Sequence, residues 1–94
     1  MLLRTFKTDK LVTNVYDSRV EMGKAAAMEA AAYLRWLLAN KEDVYAVFAA
    51  APSQNEFLAE LSVASDIAWQ RVHALHMDEY VGLSANATQG FGNF

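Results

Sequence analysis

The run His76-Met77-Asp78-Glu79-Tyr80-Val81-Gly82-Leu83 sets two carboxylates and a histidine at the exit of an apolar stretch, just before a glycine turn. Strand exits are where open α/β sheets hold their ligands. An aspartate on such a corner is suited to moving a proton once its surroundings adjust its pKa, which makes Asp78 the first candidate for acid-base work. If the strand persists to Asp78, alternation puts His76 and Asp78 on one face and Glu79 on the other. The plainer alternative is a solvated acidic turn. By the same alternation His73 and His76 point to opposite faces, which argues against a two-histidine metal site.

The second candidate is Ala51-Pro52-Ser53-Gln54-Asn55-Glu56. Ser53 and Glu56 have capping-box spacing, so a helix should open there. Its first amides and the Ser53 hydroxyl would suit a phosphate, although a plain capped helix explains the same pattern. Neither a dinucleotide fingerprint nor a P-loop is present, so nicotinamide and ATP binding are unsupported. Ser53, His76 and Asp78 do not make a catalytic triad, because nothing supplies an oxyanion hole. Tyr33, Trp36, Trp69, Phe91 and Phe94 read as core or interface packing, since no basic groove accompanies them for base stacking.

The elements that must position these residues follow from periodicity. Residues 10–16 are β-rich with irregular alternation, which predicts a short strand at a sheet edge. Ser18 and Glu21 again have capping-box spacing, opening a helix that runs through Leu38 and stops near Asn40, a tolerable left-handed terminator. Its many alanines would permit close approach to a sheet face. Residues 44–51 are uninterrupted apolar, as in a central strand covered on both faces, and Pro52 closes it. A second helix over 54–64, a tight connection at 66–69, a strand over 72–77, and over 84–92 a polar, glycine-bearing loop or the hesitant start of a helix complete the chain. Strand, helix, strand, helix, strand implies right-handed crossovers and a largely parallel sheet.

Composition limits the functional classes. Ninety-four residues make one domain, 1–94, able to bury roughly two thirds of its unfolded surface. An apolar content of 54% argues for a folded protein. The net charge of -3, with scattered basic residues, offers no attraction for nucleic acid or anionic membrane. There are no cysteines, hence no disulfides or thiolate metal sites. Arg4, Lys7, Asp9 and Lys10 interrupt any secretory apolar core. The apolar stretch 25–38 contains Glu29 and Arg35 and falls short of the ~20 residues that span a bilayer. A soluble, cytoplasmic protein is expected.

Two strings, Phe48-Ala49-Ala50-Ala51-Pro52-Ser53-Gln54-Asn55-Glu56-Phe57-Leu58 and His76-Met77-Asp78-Glu79-Tyr80-Val81-Gly82-Leu83, resemble the glucosamine-6-phosphate deaminase/isomerase family. Arg19-Val20-Glu21-Met22-Gly23-Lys24-Ala25-Ala26 and Asp66-Ile67-Ala68-Trp69 are similar to one branch of it. The similarity covers nearly all of the chain, but only the N-terminal part of the family's domain. It implies a partial Rossmann-like three-layer fold, a mainly parallel sheet with flanking helices. The implied activity is conversion of glucosamine 6-phosphate to fructose 6-phosphate with release of ammonia, without metal, nucleotide or other cofactor. Asp78 would shuttle the proton between C1 and C2 of the opened aminosugar, with Glu79 beside it as a second catalytic residue. Ser53, Gln54, Asn55 and His76 would bind the phosphorylated aminosugar.

Two departures from the family stand out. Its Pro-Thr-Gly-Gly-Thr-type phosphate loop is here Pro52-Ser53-Gln54-Asn55, shorter and without glycine. Its later Gly-Asn-Asp-Gly-His-type segment has no counterpart before Phe94. The chain is therefore expected to carry half a site and to be inactive alone. The alternatives are a non-catalytic sugar-phosphate-binding module and a self-associating structural fragment, and exposed strand edges favour a homo-oligomer.

Overall fold

The computed structural model describes residues 1–88 and is an α/β arrangement of two small sheets and two helices. Strands β1 (Leu2–Thr8) and β2 (Leu11–Tyr16) form an antiparallel hairpin. The helix α1 (Arg19–Asn40) follows, then β3 (Val44–Phe48), a 3-10 turn Pro52–Gln54, α2 (Asn55–Ser62), a second 3-10 turn Trp69–Arg71 and β4 (Val72–His76). β3 and β4 pair in parallel, in register from Val44↔Val72 to Phe48↔His76.

β1 is an element the sequence reading did not contain. The hairpin turns at Asp9-Lys10 with no glycine to announce it, and Asp9 itself adopts the left-handed φ of 54° that a tight turn requires. Asp tolerates that region because its short side chain can bond locally. Phe91 and Phe94 lie outside the described residues, as does the end of the 84–92 loop.

The helix α1 begins as expected. Ser18 takes an extended backbone and its Oγ accepts the Glu21 amide at 3.1 Å. Its end differs from expectation: Lys41 is extended, with no left-handed residue at the terminus. Side chains satisfy the last carbonyls instead. Asn40 Nδ2 donates to the Trp36 carbonyl at 2.7 Å, and the Arg71 guanidinium donates to the carbonyls of Leu38, Lys41 and Glu42. A cation there also complements the negative end of the helix dipole.

One stripe of α1 is buried, Gly23, Ala27, Ala31, Leu34 and Leu38, at the three- and four-residue spacing of a helix face. The core is this stripe with Val44 of β3 and Leu61 of α2, edged by Phe48, Phe57, Ile67, Trp69 and Val72. Trp69 thus packs as expected, while Tyr33 and Trp36 are exposed and lie 5.9 Å apart, ring to ring.

The strand over 44–51 is shorter than its apolar run and is not covered on both faces. Val44, Ala46 and Phe48 turn toward the helices, whereas Tyr45 and Val47 are 71% and 63% exposed. In a two-stranded sheet it is also an edge strand, not a central one. The sheet is too small to show three layers.

Candidate functional site

Both candidate segments leave the same edge of one small sheet. Pairing ends at Phe48↔His76, and the Met77 amide donates to the Phe48 carbonyl at 2.8 Å. The loop after β3, which leads to Ser53, and the loop after β4, which leads to Asp78, therefore depart side by side. Parallel pairing makes this juxtaposition, because both strands present their C-terminal ends to the same side.

The Ser53 turn is built differently from a capping box. Pro52, Ser53 and Gln54 already follow a 3-10 path, with the Gln54 amide donating to the Ala51 carbonyl at 2.9 Å and the Asn55 amide to the Pro52 carbonyl. Ser53 is thus inside the first turn, and α2 has no side-chain cap. The expected helix over 54–64 contracts to Asn55–Ser62. Because the Gln54 and Asn55 amides are engaged within the turn, a ligand would be met by the Ser53 hydroxyl and the side chains of Gln54 and Asn55.

Glu56, the other half of the expected box, goes to Arg19. The Arg19 guanidinium donates to the Glu56 carboxylate at 2.9 Å and to the Pro52 carbonyl at 3.1 Å. The Glu56 carboxyl is held below its ordinary range, first by its own backbone amide and then by Arg19, with burial opposing both. Sequence reasoning missed Arg19. Its signal was a cation in the first turn of a helix, where the dipole disfavours positive charge and only a tertiary partner explains it.

A cavity of about 240 Å³ lies between α1 and this turn, lined by Met22, Gly23, Ala26, Ser53, Gln54, Glu56 and Phe57. Asp78, Glu79 and His76 do not line it. Asn55 is exposed at the start of α2.

The acidic corner is open. β4 ends at His76, so the alternation that would have aligned His76 with Asp78 does not reach Asp78. β3 has ended at Phe48 and offers no further pairing beyond the Met77 amide bond. His76, Asp78 and Glu79 are all exposed. The Glu79 carboxylate accepts the Tyr80 amide at 2.9 Å, turning it toward its own backbone. Gly82, at φ 90°, supplies the turn beyond.

A further cluster, also missed, lies on the uncovered sheet face. His73 Nε2 is 2.9 Å from Asp43 Oδ1, and its ring stacks on Tyr45 at 4.8 Å. The register Tyr45↔His73 makes the stack, since directly opposed residues share a face. Among the described residues no three histidine or carboxylate side chains converge as metal ligands would.

Compared with protein-family models, with curated proteins and with solved structures, the chain has no match. No helix among the described residues is long and apolar enough to cross a membrane.

Proposed function

We propose that the loops after β3 and β4 form one half of the sugar-phosphate site of an aminosugar-phosphate isomerase/deaminase, acting on glucosamine 6-phosphate in the cytoplasm. The observation that carries this reading is the Met77 to Phe48 hydrogen bond. It makes the loops toward Ser53 and Asp78 leave the same end of the sheet, which supports a site with a phosphate at one end of a sugar and a proton shuttle at the other. Ser53, Gln54 and Asn55 are assigned to the phosphate and its neighbouring hydroxyls, His76 to the sugar, and Asp78 to the proton transfer between C1 and C2, with Glu79 beside it. No cofactor is required.

On this reading the β3–α2–β4 unit belongs to a Rossmann-like, mainly parallel three-layer sheet. The uncovered face of Tyr45, Val47 and Leu75 supports it, since parallel strands are ordinarily covered on both sides. The exposure of Asp78 supports the further view that this chain does not turn substrate over by itself. A proton shuttle works when held against the substrate's carbons and shielded from water.

Titration of the chain with glucosamine 6-phosphate, followed by amide NMR, tests this. Saturable shifts at residues 53–55 and 76–79 are expected, reduced in Ser53→Ala, with no ammonia released. Absence of shifts at both loops would overturn the site, and ammonia release by this chain would overturn the half-site view.

A further inference from the structure

The hairpin and the body of the molecule are complementary in charge, and they meet where β2 and the N-terminal amine reach the start of α1. Residues 1–16 carry Arg4, Lys7 and Lys10 against Asp9, a net charge of +2; residues 17–94 hold five basic and ten acidic residues, a net -5, which together give the chain's -3. The pairing register places Arg4, Phe6, Thr8, Leu11, Thr13 and Val15 on one hairpin face, and Thr5, Lys7, Val12 and Asn14 on the other. The first face is the more apolar, and Phe6, Leu11 and Val15 remain exposed on it. An isolated two-stranded hairpin is marginal in water, so such a face calls for a partner surface.

The hairpin cannot fold back onto the body's own groove. Only Asp17 and Ser18 separate it from α1, and the N-terminal amine is bonded to Asp17 at 2.7 Å, closing the hairpin's base against the helix start. The consequence is an extended molecule. Its radius of gyration is 15.5 Å, where a compact chain of this length has about 12 Å.

The matching surface lies among α1, β3 and α2. A cavity of about 600 Å³ there is lined chiefly by apolar groups, among them Tyr33, Leu37, Tyr45 and Phe48, with Glu29 at its wall. No β4 residue lines it. Residues of both β3 faces do, so it runs along the β3 edge that β4 leaves unpaired. Unpaired edges are templates for added strands, which gain main-chain hydrogen bonds and place alternate side chains in the groove.

We infer that a second copy of this chain occupies the groove: the β1–β2 hairpin of each copy lies along the β3 edge of the other, Phe6 and Leu11 entering the cavity and the basic hairpin facing Glu29. The exchange is reciprocal and closes as a two-fold dimer. It does not depend on the proposed catalytic role.

Sedimentation equilibrium tests it. The chain is expected at twice its mass of 10.4 kDa. Arg4→Glu with Lys10→Glu should weaken the dimer about tenfold, and Leu11→Asp by at least as much. Mixing the double variant with Glu29→Lys should restore association, a readout that misfolding does not produce. Circular dichroism checks that each variant keeps its helices. A monomer at about 1 mM, or a dimer unmoved by both hairpin variants, overturns the inference.

Discussion

Gly23 of α1 sits so close to Glu56 of α2 that a Cβ added to the glycine would lie 2.7 Å from the Glu56 Cβ and 2.9 Å from its carbonyl carbon. Four residues earlier on the same helix, Arg19 grips the Glu56 carboxylate. Two successive turns of α1 thereby fix the start of α2, and with it the Ser53 turn.

Gly23→Ala should destabilise the protein. In an open helix the change gains about 0.5–1 kcal/mol of backbone entropy, but here the new methyl meets backbone atoms of α2 that cannot step aside singly. Overpacking of this kind costs about 1–3 kcal/mol, so the net sign is a loss. Urea denaturation should show a lower midpoint, and an unchanged or raised midpoint would refute the contact.

The two serines of the apparent capping boxes should behave differently. Ser18→Ala removes a bonded cap and should cost about 1 kcal/mol. Ser53→Ala removes none and should stay within about 0.5 kcal/mol. Paired thermal melts decide, and equal losses would contradict the turn geometry.

Acid should weaken the α1–α2 junction through Glu56. Its carboxyl is lowered in the folded protein, so its contribution is fully present above the ordinary glutamate pKa and is lost as pH falls through the lower folded value. Arg19→Gln removes the second of the two groups that lower it. Stability measured against pH should then fall less steeply on the acid side, with no difference in slope above the ordinary glutamate range.

Leu61 is the one buried residue of α2, 3% exposed. Leu61→Ala should cost about 2–5 kcal/mol, a large share of what a core of this size provides. Hydrogen exchange should show the α2 amides losing protection before those of α1, because an eight-residue helix has little stability of its own.

Much of the local structure was legible in the residues. The Ser18 cap, the buried positions Ala27, Ala31, Leu34 and Leu38 of α1, and the strands that lead toward Pro52 and Asp78 follow from nearest-neighbour chemistry and periodicity. What failed were readings that assumed surroundings. The run Val44 to Phe48 looks doubly buried because an apolar string reports only that its side chains can be buried, not what covers them. Ser53 and Glu56 match a box, yet Arg19, distant in sequence, claims the glutamate. The hairpin escaped notice because Asp9 makes the turn that a glycine usually announces.

By itself, the sequence determined the two helices and the strands β2, β3 and β4 in their order, the cap at Ser18 and the residue types offered at each strand exit, since these depend on short-range sterics and hydrogen bonding. The tertiary structure alone decided that β3 and β4 pair in parallel and release the Ser53 and Asp78 loops together. It alone gave Glu56 to Arg19, Arg71 to the end of α1, and left Tyr45 and Val47 uncovered. These outcomes depend on contacts between residues roughly thirty or more positions apart, whose loop-closure entropy is offset only by the packing of the whole chain.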